Sequence, residues 1–418
     1  MAVSDPQDLA SPPPLPPPPG ALEPLRDGTF RAIWIANLVS NVGAWMQGVG
    51  AAWEMTHLAS SPLFVALIST ASTLPVFFFA YPAGVLADQL DRRRYLICCQ
   101  LWMLACAAAL ATLAAIGQLT AWSLLLLTFA LGVGNAMNGP AWQSAVPELV
   151  GRRLLPQAVA LNSAGFNAAR TLGPGIGGLI YAAAGIVSLF ALNAVTFLAV
   201  VLALLRWKRA PTETGPRGFF AGVVSGAVWL RQAGDLHVIM LRALLFFLPA
   251  SALMALVPLL ARNYLQLDAM GFGIISSAFG GGAVLGAFVL PRLRARFGAE
   301  RAIPAAMLVY GLGMALAVVP VAVVSGLGVG LAGIGWISVI ASNNVAAQLR
   351  LPGWVRARGI AAYQMSFFGS LAIGSVLWGN VAELLGSAMT IGCAAALVFV
   401  TAALTLRLRP LAEPDAET

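Results

Sequence analysis

Residues 84–94 read GVLADQLDRRR, a short polar island with an apolar run on either side, at about 62–87 and about 94–116. Each run is long enough for a helix crossing a hydrocarbon core of about 30 Å, which takes roughly 20 apolar residues. Within the island, Gly84 suits close approach of two helices. Asp88, four residues on, suits acceptance from helix N-terminal amides and pairing with arginine. A loop retained by its positive charge accounts for Arg92–Arg94 but not for the Gly and Asp spacing.

Outward from this island, apolar runs recur at roughly 31–53, 122–147, 157–182 and 187–206, and then at 236–261, 271–290, 301–320, 325–348, 358–383 and 387–406. The pattern predicts an all-α membrane protein with twelve transmembrane helices in two six-helix bundles. Composition agrees: 59% of the 418 residues are hydrophobic and 10% charged, too little charge to cover a water-soluble globule.

The domains follow. Residues 1–28, with SPPPLPPPPG, form a disordered Pro-rich cytoplasmic tail rather than a signal peptide, because the first apolar run is too long for a cleavable segment. A bundle over 29–207 precedes a cytoplasmic linker over 208–234 whose apolar FFAGVVSGAVWL suits a surface-lying amphipathic helix. A second bundle spans 235–407 and a tail 408–418.

Charge orients the chain. With the N-terminus inside, 21 of the 24 basic residues fall in cytoplasmic segments, Arg262 alone falls outside, and Arg170 and Arg242 lie within spans. The positive-inside bias therefore predicts a multi-pass cytoplasmic membrane protein of a bacterium with both termini cytoplasmic. That placement also explains the net charge of +8 without nucleic acid. The halves echo each other at an offset of about 202 residues, Gly84 onto Gly286 and Arg92 and Arg94 onto Arg294 and Arg296. Parallel six-helix halves are a way of alternating access around a central cavity.

The island resembles the G-x-x-x-D-[RK]-x-G-[RK]-[RK] signature of the major facilitator superfamily at Gly84, Asp88 and its basic end, with Gln89 and Asp91 in place of a base and a glycine. By that resemblance Asp88 and Arg92 form a gate brace on the cytoplasmic side. The fifth span, LNSAGFNAARTLGPGIGGLI at 161–180, contains Gly173, Pro174, Gly177 and Gly178 and is similar to the core of the superfamily's antiporter motif, although Ala169 stands at one expected glycine. With VGAWMQGVGAAWEMTHLASSP at 42–62, the pattern resembles the branch holding the enterobactin exporter and drug efflux proteins. The resemblance implies the major facilitator fold and a secondary transporter: a proton-coupled exporter of a small organic solute such as a siderophore or drug, or alternatively an importer or symporter. In the fourth span Thr128 stands where many proton-coupled relatives carry arginine.

Polar groups inside spans mark candidate sites, because burying them in lipid is costly. Arg170 lies about 12 residues into its helix, about 18 Å deep. It either faces a watery cavity or pairs with a carboxylate or carbonyls. Asn37, Asn41, Gln47 and Glu54 form a polar stripe on the first helix; Asn135 and Asn138 on the fourth and Asn343 on the tenth complete the candidate substrate cavity, with interhelical hydrogen bonding as the alternative role of each amide. Glu54 and His57 are candidate proton-coupling groups, while Arg242 is placed to snorkel to the surface.

Enzyme chemistry finds no footing. His57 and His237 are far apart, the acids lie largely in loops and at helix ends, Lys208 follows no phosphate-binding loop, and the four cysteines lack metal-ligand spacing. No cofactor or metal is expected. The expected partners are a small-molecule substrate, membrane lipid and protons, and the expected state is a monomer.

Overall fold

A computed structural model of the chain describes residues 20–208, 234–350 and 356–408. Helix α1 spans Gly28–Leu58, α2 Pro62–Gln89 and α3 Arg92–Ala115. The next helical run, Ala121–Arg206, has 86 residues. At 1.5 Å per residue it would stretch about 130 Å if straight, several bilayers deep. It leaves helical geometry at Gly151 (φ 70°, ψ 169°) and Gly185 (φ 74°, ψ 177°), and so divides into α4 (121–150), α5 (152–184) and α6 (186–206). Helix α7 spans Gly234–Leu259 and ends in a π-helical turn, Leu260–Tyr264. The run Ala269–Ala317 breaks at Gly298 into α8 (269–297) and α9 (299–317). Helices α10 (Ala322–Arg350), α11 (Arg356–Leu385) and α12 (Ser387–Arg407) complete the chain.

No strand occurs among the described residues. Eight helical stretches are long and apolar enough to cross a membrane, the 86-residue run counting as one. Helix α1 is not among them, its apolar residues being diluted by amides and glycines. The chain is an all-α, multi-pass membrane protein.

The internal echo is visible in the backbone. Gly185, between α5 and α6, and Gly386, between α11 and α12, stand 201 residues apart and share one conformation, φ 74° and ψ 177° against φ 77° and ψ 163°. This region is essentially glycine-only, so the same sharp corner joins the last two helices of each half. The arginines echo too: Arg92 Nη1 donates to the Ser144 carbonyl on α4 at 3.2 Å, and Arg294 Nη2 donates to Ser342 Oγ on α10 at 3.1 Å.

Residues 20–27, expected to be disordered, are folded. Glu23–Arg26 form a 3-10 turn, Pro24 is buried, Glu23 pairs with Arg153 at the start of α5, and Asp27 caps α1 by accepting from Phe30 N at 2.7 Å. The turn's apolar and charged contacts outweigh the proline-rich character of what precedes it. Residues 1–19, the stretch 209–233 with its expected amphipathic helix, and 409–418 lie outside the described residues.

The halves meet along two pairs of helices. Helix α2 runs against α11, with Thr70 Oγ1 donating to the Ala372 carbonyl at 3.2 Å, and α5 runs against α8. The starts of α1 and α7 and the ends of α6 and α12 lie on one side, here the terminal side. The ends of α1, α5, α7 and α11 lie on the far side.

Candidate functional site

Helix α5 is the keystone because its small residues let two partners reach its backbone. A Cβ on Gly173 would stand 2.6 Å from Trp45 Cβ of α1, and one on Gly177 would stand 2.9 Å from Met46 Cα. On the other flank a Cβ on Gly178 would stand 2.5 Å from the Ala269 carbonyl oxygen of α8. From α8, a Cβ on Gly273 would meet the Pro174 carbonyl at 2.7 Å, and one on Gly280 would meet the Arg170 carbonyl at 2.6 Å. The glycines of the GPxxGG segment thus hold α5 to α1 within one half and to α8 across the seam, through contacts that any larger residue would break. Gly273 and Gly280 were not singled out in the sequence. Their signal was the spacing Gly273, Gly280, Gly281 and Gly282.

Far-side contacts close the seam. Trp53 of α1 stacks on Phe272 of α8 with ring centroids 5.5 Å apart. Arg262, in the π-helical turn after α7, donates to the Thr56 carbonyl and, at 2.9 Å, to Thr56 Oγ1. Ser61 donates to Glu383 at the α2–α11 end, while Tyr181 donates to Glu54 at 2.5 Å within the first half. Glu54 and His57 meet α5 within the first half: His57 is exposed, and its ring lies 6.5 Å from that of Tyr181.

The predicted cavity residues do not form one lining. Gln47 is buried and accepts from Asn193 of α6, whose Oδ1 lies 3.2 Å from the Thr196 hydroxyl, so this amide ties α1 to α6. Asn138 accepts from Gln100 Nε2 of α3 at 3.3 Å. Gln47 and Asn135 do share a cavity of about 80 Å³ between α1, α2, α4 and α6, with Thr128 and Ser72. Asn37 and Asn41 are half-buried and make no hydrogen bond among the described residues. Asn343 is fully buried, and both of its amide atoms lack a partner. The stripe on α1 divides because Gln47 and Glu54, seven residues apart, share a face turned to α6 and α5, while Asn37 and Asn41 lie off it.

The gate brace is described only in part. The side chain of Asp88 lies outside the described residues. Among those described, nothing comes within 4 Å of where a Gly84 Cβ would stand. Arg92 pairs with Glu148 at the end of α4, and the residue accepting at the start of α3 is Asp91, from Arg94 N at 2.8 Å. Arg242 is 2% exposed and does not reach the surface.

The second half holds a feature that the sequence reading missed. Trp336 of α10 is ringed by Phe246, Phe247, Phe279, Tyr310 and Phe367, with centroids 5.2 to 6.1 Å away. Tyr310 anchors this cluster by donating to the Ala250 carbonyl at 2.8 Å. Amides mark the first half and aromatic rings the second.

Two helical halves related by an internal echo, meeting along α2–α11 and α5–α8, define the major facilitator class. Solved structures share the fold: the nucleoside transporter NupG superposes with a TM-score of 0.73 at 13% identity, covering 91% of this chain and 98% of that one. A POT family transporter in complex with 5-aminolevulinic acid gives 0.71 at 12% identity, covering 90% and 95%. Residues 19–418 match the family model described as transmembrane secretion effector, and the chain belongs to that major facilitator family. Among similar proteins, macrolide efflux protein A of Streptococcus pyogenes is 22% identical over 265 residues, covering 62% of this chain and 65% of that protein. The enterobactin exporter EntS of Shigella boydii serotype 4 is 28% identical over 269 residues, 63% of each. The matched region spans less than two thirds of either relative's length.

Proposed function

We propose that the protein is a secondary active exporter of a small amphiphilic organic solute, sitting in a bacterial cytoplasmic membrane with both termini cytoplasmic. The observation that carries this reading is the glycine-lined seam sealed at its far side by Trp53–Phe272, Arg262–Thr56 and Ser61–Glu383. Far-side contacts of this kind suit a rocking of one half against the other that breaks them and closes the terminal side. The Gly84, Asp88 and Arg92 brace is assigned to the opposite state, consistent with the open space beside Gly84. The roles of these relatives favour export over import, and proton antiport is the proposed driving force. Efflux from cells with and without the gene, across macrolides, siderophores and other amphiphiles, tests the proposal. Expression should lower accumulation of at least one solute several-fold, and an uncoupler should abolish the difference. Expression that raises accumulation would make the protein an importer.

A further inference from the structure

We infer that Arg170 is the recognition point for an anionic group, of the carboxylate kind, on the transported solute; this rests on reading the space between the halves as the transport route. Arg170 is 8% exposed and lies deep in a membrane-spanning helix. Its hydrogen bond runs from Nη2 to Asn167 Oδ1 at 3.1 Å, and among the described residues Nε has no partner and no ion pair reaches it. A permanent cation in a low-dielectric setting without a counter-charge is costly, and a guanidinium presents a fork matched to a carboxylate.

Its position gives the cation a direction. At 100° per residue, Phe166, Gly173 and Gly177 lie to one side of Arg170 on the α5 wheel, and these are the residues that meet α1. Pro174 and Gly178, which meet α8, lie to the other side. Arg170 therefore sits on the strip of α5 facing the crevice between α1 of one half and α8 of the other. Helical side chains lean toward the N-terminus of their helix, here the terminal side, and the bond to Asn167 one turn back agrees. Asn167 is itself fixed, its Nδ2 donating to the Ser163 carbonyl at 2.8 Å. Gly165 faces Leu38 and Trp34, and Gly173 faces Val42 and Trp45, so Asn41 of α1 lies at the height of Arg170 with no hydrogen bond of its own. The crevice thus offers a fixed guanidinium edge, an amide and the Trp45 ring: an arrangement for an aromatic or amphiphilic body carrying one negative charge.

The test uses a pair of probes differing in charge, 1-naphthoate and 1-naphthamide, with binding to the purified full chain measured by calorimetry. Naphthoate should bind about tenfold more tightly than naphthamide, in line with a charge-assisted hydrogen bond. Arg170→Gln should bring the two affinities within about twofold, and an unshifted melting temperature of that variant reports a folded chain. Arg170→Lys, which keeps the charge but not the fork, should retain part of the preference. Equal binding of the two probes by the wild-type chain, binding of neither, or a preference that survives in Arg170→Gln would each overturn the anion site. Flux of the same probes in proteoliposomes separates this claim from the exporter reading. Charge-selective binding without flux of either probe sinks only the exporter, and flux of both without charge preference sinks only the anion site.

Discussion

Gln47 and Asn193 show how a polar residue inside a membrane bundle is satisfied or left waiting. Both are nearly inaccessible, and each amide completes the other across α1 and α6. Asn193→Leu should therefore destabilise the protein by about 1–3 kcal/mol, the cost of an orphaned buried amide. Gln47→Leu in the same background should recover most of that loss. Thermal denaturation of the two single variants and the double variant in detergent checks the pairing; independent, additive losses would show that the amides do not act together. The depth of Arg170 was legible in the sequence because a cation within an apolar run needs only counting. The pairing of Gln47 was not, since an amide looks the same whether it faces another helix or a water-filled route. Asn138 was ambiguous for that reason: its acceptor role toward Gln100 depends on how α3 packs on α4.

At the level of helices, what the sequence showed best was the GPxxGG segment of α5, and what it concealed was the partner surface. Close packing takes two small surfaces, and the second, Gly273 and Gly280 of α8, lies about 100 residues away, marked only by its glycine spacing. Gly280→Ala should displace α8 from α5, because the new Cβ would stand 2.6 Å from the Arg170 carbonyl oxygen and 2.7 Å from Thr171 Cα. Overpacking of this kind costs about 1–3 kcal/mol. Gly84→Ala meets no such obstacle and should leave the melting temperature equal or higher, since alanine is the better helix former. If Gly84 meets another helix in the opposite state, that stable variant should still lose transport. Wild-type flux per folded molecule in Gly84→Ala would remove the gate role from the motif. The helix breaks were harder to foresee than the helices: Gly151, Gly185 and Gly298 are three among 43 glycines, and only the fold selects those that turn a corner.

For the molecule as a whole, the central claim is that transport requires the far-side contacts between the halves to open. Ser61 at the start of α2 and Glu383 near the end of α11 touch across that seam. The direct measurement is efflux by a Ser61→Cys/Glu383→Cys variant before and after treatment with a short, reducible, bifunctional thiol reagent, with Cys98, Cys99, Cys106 and Cys393 replaced beforehand. The account predicts that linking abolishes efflux of a solute exported by the unlinked protein and that reduction restores it. Undiminished efflux from fully linked protein would contradict it.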